Sequence, residues 1–246
     1  MKISIVTVCF NSEKTIEDTL KSIAQQTYHN IEHIVIDGNS TDSTNTIISR
    51  YSDSVAVHVS EPDKGLYDAM NKGIKLATGD VIGILNSDDV LFDNNVIQCI
   101  SELITDYDGV YADVGFYDTN LSVKKRHYSS SSFKKEMFSR GFMPAHPSFY
   151  ARRACYENVG DYDSNYKIAA DFEMLIRMFN LPASRFKYIN KEFVKMRLGG
   201  VSTSGLSSNI NLNKEILKAC RVNSIPASWF SVLSKYPSKI LGYIFK

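Results

Sequence analysis

The segment ILNSDD, residues 84 to 89, places two carboxylates directly after a run of apolar residues. Adjacent carboxylates repel each other, so the pair indicates that a positive group is held nearby. Mg²⁺ and Mn²⁺ bind a few protein carboxylates and complete their shells with water and phosphate oxygens. Asp88 and Asp89 are therefore candidate metal ligands. The alternative is a surface turn or the first turn of a helix, where Asp is common.

Four short β-branched segments alternate with helical patterns over the first hundred residues. The strand patterns cover residues 2–8, 31–37, 55–60 and 81–85, and apolar residues at helical spacing follow each of the first three. Apolar strands separated by amphipathic helices predict a parallel sheet covered on both faces. Ligands of such sheets bind beyond the carboxyl ends of the strands.

The residues that follow the four predicted strands are acidic, amidic, hydroxylic or glycine. They are residues 9–11, 37–40, 61–65 and 86–89, and we expect them to meet along one crevice. Their composition suits a polar ligand and a hard cation, which favours the metal site over the surface turn. Asp37 ends the second strand, where it can accept hydrogen bonds from a nucleotide or start an Asx-turn. CFNSEK follows the first strand in place of GxGxxG, which disfavours NAD chemistry.

The bulk composition is that of a globular protein with no strong net charge. The chain has 246 residues, 43% of them hydrophobic, with 28 Lys and Arg against 27 Asp and Glu. This balance gives no overall field that would attract nucleic acid, and no apolar run approaches the roughly 20 residues that span a bilayer. Four cysteines without a CxxC pair favour a reducing cytoplasm.

Beyond residue 105 the pattern loosens into shorter strands and one clear helix over residues 170–179, which is typical of an α+β arrangement. No Gly- or Pro-rich linker separates the two halves. We therefore predict one domain over residues 1–215, in two halves (1–115 and 116–215), followed by a basic and aromatic tail over residues 216–246.

Four segments, ISIVTVCFN, VIDGNSTDST, EPDKGLYDAMNKGIKLATGD and ILNSDD, resemble in order and spacing the inverting family 2 glycosyltransferases. The resemblance covers at least residues 1–115. It implies an α/β GT-A fold, with a Rossmann-like, mostly parallel sheet flanked by helices. It also implies a nucleotide-sugar donor and Mn²⁺ or Mg²⁺ as cofactor.

The resemblance implies that residues 1–115 are a donor half, which binds the nucleotide-sugar, and that residues 116–215 are an acceptor half. It also assigns roles to individual residues of the donor half. Asp88 and Asp89 correspond to the acidic pair that binds the metal, and Asn86 stands where many relatives have a first Asp. The residues that the resemblance places at the nucleotide-sugar are Phe10, Asn11, Asp37, Asp63, Asn71, Lys72 and Asp88. Arg197, beside Gly199 and Gly200, is assigned to a loop that closes over the diphosphate; the alternative is an ordinary turn.

The acceptor half is expected to supply a base, because inverting transfer needs a carboxylate that takes the acceptor proton. YKIAADFEMLIRMF resembles the segment that carries this base in the family. Asp171 is the first candidate and Glu173 the second; the alternative is that Asp171 only complements the helix dipole. His146, in MPAHPSFY, is an acceptor-site candidate by resemblance, although a lone His is more often structural.

The tail has no acidic side chain after Glu215, and its Lys and Arg residues alternate with Trp, Tyr and Phe. This pattern is typical of an anionic membrane interface; the alternative is a helix packed on the core or on a partner. We expect a cytoplasmic protein with peripheral contact at the inner face of the membrane.

The sequence thus predicts a metal-dependent inverting glycosyltransferase. The expected donor is a UDP-sugar, the expected acceptor is a saccharide or lipid-linked saccharide, and the expected process is surface polysaccharide biosynthesis. One rival is a nucleotidyltransferase of related fold, which would need a Gly-rich basic loop after the first strand. The other is a carbohydrate- or membrane-binding module without catalysis.

Overall fold

The four predicted strands of the first hundred residues lie side by side and parallel in the computed structural model, which describes residues 1–199 and 206–234. They are Ile3–Cys9 (β1), Ile31–Asp37 (β2), Val57–Ser60 (β3) and Val81–Ile84 (β4), in the order β3-β2-β1-β4. Helices Ile16–Ala24 (α1), Thr44–Ser49 (α2) and Leu66–Leu76 (α3) connect them. The register pairs Cys9 with Asp37 and Asp37 with Ser60, so the carboxyl ends share one edge of the sheet.

The second half of the chain extends the same sheet. Its strands are Val90–Leu91 (β5), Gly109–Tyr117 (β6), Lys124–Tyr128 (β7), Tyr150–Arg152 (β8) and Phe186–Arg197 (β9). The order is β3-β2-β1-β4-β8-β6-β9-β5, with β7 paired to β6. β8 is antiparallel to both β4 and β6, whereas β6 and β9 are parallel. The carboxyl ends of β6 and β9 therefore lie at the same edge as those of β1 to β4.

Helices cover both faces of this sheet. The remaining ones are Val96–Leu103 (α4), Arg153–Val159 (α5), Ala170–Asn180 (α6), Leu206–Val222 (α7) and Trp229–Leu233 (α8). Helix α6 is the predicted helix of the second half, whereas β9 and α5 were not predicted. Residue 216, where the sequence predicts that the tail begins, lies inside α7. Within residues 1–199 and 206–234, no helix has the length and apolar character needed to cross a bilayer.

The junction between the parallel strands and β8 requires a glycine. A Cβ atom on Gly83 in β4 would lie 2.1 Å from Cε1 of Tyr150 in β8, a distance that side chains do not tolerate. The Tyr150 ring is fully buried against this strand. Gly83 therefore lets the first antiparallel strand pack directly beside the parallel set.

His33 is a buried titratable residue in β2. Its side chain is 1% exposed, Nε2 lies 3.0 Å from Oγ1 of Thr7, and Nδ1 has no hydrogen-bond partner. Burial lowers the pKa of His33 to about 3, because the imidazolium form would lose its hydration. The ring is therefore neutral in the folded protein, whereas an unfolded chain takes up the proton near pH 6.5.

This difference predicts a pH dependence of stability. A group whose folded pKa is lowered gives stability that is present above the unfolded pKa and lost as pH falls below it. We expect wild type to lose about 1.4 kcal/mol more unfolding free energy than His33→Gln between pH 7.5 and 5.5. Urea unfolding at both pH values measures this difference. Thr7→Val, which removes the hydrogen bond but keeps the ring, should retain the wild-type pH dependence; equal slopes in wild type and His33→Gln would contradict the assignment.

Candidate active site

The loops that follow β1, β2 and β4 are joined by hydrogen bonds. The backbone N–H of Asn11 donates to Oγ of Ser40 (2.8 Å), and Asn11 Oδ1 accepts from the backbone N–H of Thr41 (2.9 Å). Oγ of Ser12 lies 2.9 Å from Oγ of Ser87 in the acidic segment. The predicted crevice at the carboxyl edge of the sheet is therefore confirmed for these three loops.

Asp37 ties the loop after β3 to the same crevice. Its buried carboxylate accepts hydrogen bonds from the hydroxyl of Ser60 (2.6 Å), the amide of Asn45 (2.9 Å), and the backbone N–H (2.9 Å) and hydroxyl of Ser40. Burial opposes its ionisation, but these hydrogen bonds outweigh burial and hold the pKa of Asp37 below its usual value. The side chain is 0% exposed, so it supports the crevice from within and presents no oxygen to a ligand.

Gly38, Asp63 and Phe10 meet at one point of the crevice. A Cβ on Gly38 would lie 2.5 Å from Oδ2 of Asp63 and 3.4 Å from Cδ2 of Phe10, so only glycine leaves room for both. Asp63 Oδ1 accepts from the backbone N–H of Gly65 (2.7 Å). The Phe10 side chain is 62% exposed, which leaves its ring available at the mouth of the crevice.

The acidic pair lies between β4 and β5. Asp88 is half-buried, whereas Asp89 is 2% exposed and its Oδ2 has no hydrogen-bond partner. Oδ1 of Asn86 is also buried without a partner. Burial raises the pKa of both carboxyl groups, and for Asp89 the charge of Asp88 adds to this effect, while Arg197 opposes it. One carboxylate oxygen and one amide oxygen, both buried without donors, fit the oxygen ligands of a divalent cation.

The protein offers few ligands besides this pair. Across the described ranges, 1–199 and 206–234, no group of three or more His, Cys, Asp or Glu side chains is placed to hold a metal ion. A cation at Asp88 and Asp89 would therefore need other oxygen ligands, such as water and phosphate. This arrangement is typical of Mg²⁺ sites, which use one or two carboxylates and substrate phosphates.

Arg197, at the carboxyl end of β9, forms an ion pair with Asp18 of α1 and donates to the carbonyl oxygen of Thr119. Its side chain is 10% exposed, and Nε is buried without a hydrogen-bond partner. The guanidinium thus offsets the charge of the acidic pair from a fixed position. Residues 200–203 of the predicted closing loop lie outside the described residues.

Asn71 and Lys72 hold the segment around α3 in place. The Asn71 amide donates to the carbonyl of Tyr162 (2.9 Å) and accepts from the Tyr162 N–H (2.8 Å). Lys72 pairs with Glu61 (2.7 Å) and donates to the carbonyl of Pro62 (3.0 Å). The amide of Asn71 is therefore engaged with Tyr162 of the second half of the chain.

Asp171 lies in the first turn of α6, half-buried, and its Oδ1 accepts from the N–H of Phe172 (2.8 Å). Burial raises the pKa of Asp171 to about 6, and the charge of Glu215 acts in the same direction, while the Phe172 N–H opposes both. A carboxylate with this pKa is ionised at neutral pH and is basic enough to accept a proton. The chain segment before it is held by Tyr67, whose hydroxyl donates to the carbonyl of Ile168 (2.5 Å). Because α3 begins at the carboxyl edge of the sheet, this contact places the Asp171 turn near that edge.

The other two acceptor-side candidates are internally paired. Glu173 is 4% exposed and both its oxygens accept from Arg177, at 2.7 to 3.0 Å. Glu173 therefore forms a buried ion pair with Arg177, and its role as the second candidate base stays a prediction. His146 is 7% exposed, its Nε2 lies 2.8 Å from the Tyr162 hydroxyl, and burial lowers its pKa to about 4.

Two tyrosines that the sequence analysis missed line this region. The rings of Tyr67 and Tyr162 stack with centroids 5.8 Å apart, and Tyr162 contacts His146 edge-on. No local spacing could mark Tyr162, because its partners Asn71 and Tyr67 lie in the other half of the chain. The place of Tyr162 beside Tyr67 and His146 follows only from these tertiary contacts.

Most of the chain is similar to known proteins. The model of Glycosyl transferase family 2 matches residues 4–169. A PGL/p-HBAD biosynthesis glycosyltransferase of Mycobacterium tuberculosis (strain H37Rv) is 31% identical over 222 residues, which are 87% of this chain and 82% of the relative. Chondroitin synthase of Pasteurella multocida is 26% identical over 206 residues, 82% of this chain but 21% of that protein.

Solved structures show the same fold. S. aureus TarS (residues 1–349) in complex with UDP-GlcNAc has a TM-score of 0.71 at 20% identity, over 91% of this chain and 65% of that one, so the present chain spans less than two thirds of that neighbour. Mannosyltransferase PcManGT from Pyrobaculum calidifontis, in complex with GDP-Man and Mn²⁺, has a TM-score of 0.62 at 15% identity, over 98% and 80% of the two chains. The predicted GT-A fold is confirmed. The family match and the M. tuberculosis relative together show that this chain belongs to glycosyl transferase family 2 and is a glycosyltransferase.

Proposed function

We propose that this enzyme is a metal-dependent inverting transferase that moves a sugar from a UDP-sugar to a saccharide or lipid-linked saccharide. The observation that carries the proposal is the acidic pair: Asp88 and Asp89 lie at the carboxyl edge of the sheet, and a buried oxygen of Asp89 has no hydrogen-bond donor. Such a pair is unstable as two anions unless a cation is present.

The donor is assigned to the crevice beside this pair. The exposed ring of Phe10 can stack on the base, while Asp37 fixes the loops around it. Uridine is supported by the UDP-GlcNAc complex of the TarS neighbour, and guanosine is the competing base because PcManGT was solved with GDP-Man. A divalent ion held by Asp88 and Asp89 would neutralise the diphosphate as it leaves.

The chain's own residues supply the acid–base step. The acceptor hydroxyl oxygen forms a bond to the anomeric carbon while the bond from that carbon to the diphosphate oxygen breaks. Asp171 takes the hydroxyl proton, and attack opposite the leaving group inverts the anomeric configuration. Arg197, fixed by Asp18, adds positive charge beside the acidic pair.

A glycan-building process is supported by the relatives, whose names describe PGL/p-HBAD biosynthesis and chondroitin synthesis. Membership of a glycosyltransferase family decides against the nucleotidyltransferase. The chain keeps both candidate metal ligands, Asp88 and Asp89, and the candidate base, Asp171. This favours a working enzyme over a binding module that has lost catalysis.

We also propose contact with an anionic membrane through α8. Val232 of this helix is buried in the core, whereas Trp229, Phe230 and Leu233 are 47%, 87% and 46% exposed. The exposed side chain of Arg221 lies in the adjoining helix. Apolar and cationic side chains together favour the headgroup region of a bilayer, which suits a lipid-linked acceptor. Residues 235–246 of the predicted tail lie outside the described residues.

Replacement of Asp171 tests the base. The assay is the rate of UDP release from a UDP-hexose that the wild type turns over. We expect Asp171→Asn to lower this rate by about 10²–10⁴-fold, because the proton acceptor is lost. UDP affinity, measured by calorimetry, should stay unchanged. The wild-type rate should fall as pH drops below about 6, where Asp171 becomes protonated. Asp161→Asn, an exposed acid in the same half, is the control; turnover equal to wild type in Asp171→Asn would exclude the assigned role.

Replacement of the acidic pair tests the metal site. Asp88→Asn and Asp89→Asn should each remove the gain in UDP affinity that Mn²⁺ gives to the wild type, because a neutral amide cannot replace an anionic ligand. Calorimetry with UDP and with GDP, each with and without Mn²⁺, measures this gain and identifies the base. Asp53→Asn, at an exposed position, should behave as wild type. Metal-independent UDP binding in the wild type would refute the metal site.

Vesicle binding tests the surface of α8. We expect Phe230→Ser to weaken co-sedimentation with vesicles of phosphatidylglycerol and phosphatidylcholine several-fold, because the apolar anchor is lost. Leu103→Ser, which removes an exposed apolar side chain from α4, is the matched control. Wild-type protein that stays in the supernatant with these vesicles at low salt would show that α8 does not contact a membrane.

A further inference from the structure

One carboxylate caps the turn that leads into the catalytic helix. Glu215, in α7, accepts hydrogen bonds from three consecutive backbone N–H groups, those of Lys167, Ile168 and Ala169, each at 2.9 Å. These residues directly precede α6, which begins at Ala170. Only the N–H of Ala169, the N-cap residue, is among those that a helix leaves without an intrahelical partner. Lys167 and Ile168 lie before the helix, so Glu215 mainly holds the turn that leads into α6.

The sequence around α6 does not supply this cap itself. The residue at the N-cap position is Ala169, whose side chain cannot accept a hydrogen bond. Glu215 reaches the turn from 46 to 48 positions along the chain. The helix that carries it packs on α6 through Ile216, Ala219 and Cys220, which are all buried. The cap is therefore held rigidly by tertiary packing.

The same turn is held from its other side by Tyr67. The hydroxyl of Tyr67 donates to the Ile168 carbonyl (2.5 Å), so Ile168 is fixed through its N–H by Glu215 and through its carbonyl by Tyr67. Asp171 follows two residues after the last capped N–H group. Its backbone position is therefore set by one contact to α7 and one to α3.

We propose that Glu215 is a positioning residue for Asp171, which fixes the turn before α6 through its three N–H contacts and keeps the base oriented toward the acceptor. The proposal rests on the proposed role of Asp171 as the base. Glu215 itself does not touch the reacting atoms; it acts through the backbone of residues 167–169 and through its negative charge.

The proposal also predicts an electrostatic effect that simple support of the fold would not give. Four titratable groups that act electrostatically with Asp171 are Glu215 from α7, Tyr67 from α3, Tyr128 from β7 and Tyr162 from the loop before α6. Burial raises the pKa of each of these tyrosines, so all three are neutral near pH 6. Glu215 is the anion of the group, and its charge makes Asp171 harder to ionise.

The test is the pH profile of Glu215→Gln. A carboxamide has one acceptor oxygen and no charge, so at least one of the three N–H groups loses its partner and the repulsion on Asp171 disappears. We expect kcat for UDP release from the UDP-hexose that the wild type turns over to fall about 10-fold to 100-fold, because the base is misplaced. KM for that donor should change less than about twofold, because the donor crevice is untouched. The acid limb of the kcat profile should move to lower pH.

Two further variants separate positioning from folding. Asn223→Ala removes the 3.0 Å hydrogen bond from Asn223 to Glu173, which also joins the end of α7 to α6 but does not touch the turn. It should lower the melting temperature and leave the acid limb in place. Glu215→Asp keeps the charge but is too short to reach all three N–H groups, so kcat should fall.

A Glu215→Gln enzyme with wild-type kcat and an unmoved acid limb would overturn the proposal, whatever its melting temperature. If Glu215→Gln behaves in this way and Asp171→Asn is inactive, the positioning role of Glu215 is refuted and the role of Asp171 as the base stands. Full turnover in Asp171→Asn would instead remove the base on which the positioning role depends.

Discussion

The structure depends on how it stabilises anions that are buried at the carboxyl edge of one sheet. A buried carboxylate is costly unless donors or a cation compensate it. Asp37 is compensated by Ser40, Asn45 and Ser60, and its pKa is low. Asp89 lacks a donor on one oxygen, and its pKa is high. The first is a permanent structural anion, whereas the second can become a stable anion only with help from a bound cation.

The two halves of the chain form one unit because their contacts meet at the same edge. The sheet continues from β4 through β8 to β6 and β9, and α3 contacts the segment before α6 through Asn71 and Tyr67. The crevice proposed for the donor and the Asp171 turn are thus attached to the same helix. A fixed relation between donor and base is what an in-line displacement requires, since small misplacements cost large factors in rate.

Sequence reasoning predicted the parallel strands well because each is a short apolar run that ends in polar residues. It missed β9, whose sequence FKYINKEFVKMR mixes charged and apolar residues without a clean alternation, and whose partners β6 and β5 are distant in the chain. It also could not tell which polar side chains are satisfied internally. Asp171 and Glu173 lie on the same turn of α6, yet Arg177 forms an ion pair with Glu173 and not with Asp171. No motif marked Glu215, because its partners are backbone N–H groups, which every residue except proline has.

The cap of α6 by α7 also limits how such enzymes can be recombined. The family model ends at residue 169, directly before α6, the helix that bears Asp171. A chimera joined there would transplant Asp171 and Glu215 together, while the three N–H groups that Glu215 binds would come from the backbone of the other parent. A chimera joined between β9 and α7 would pair the base of one parent with the helix of another, and its acceptor half would inherit a helix start without a matched cap.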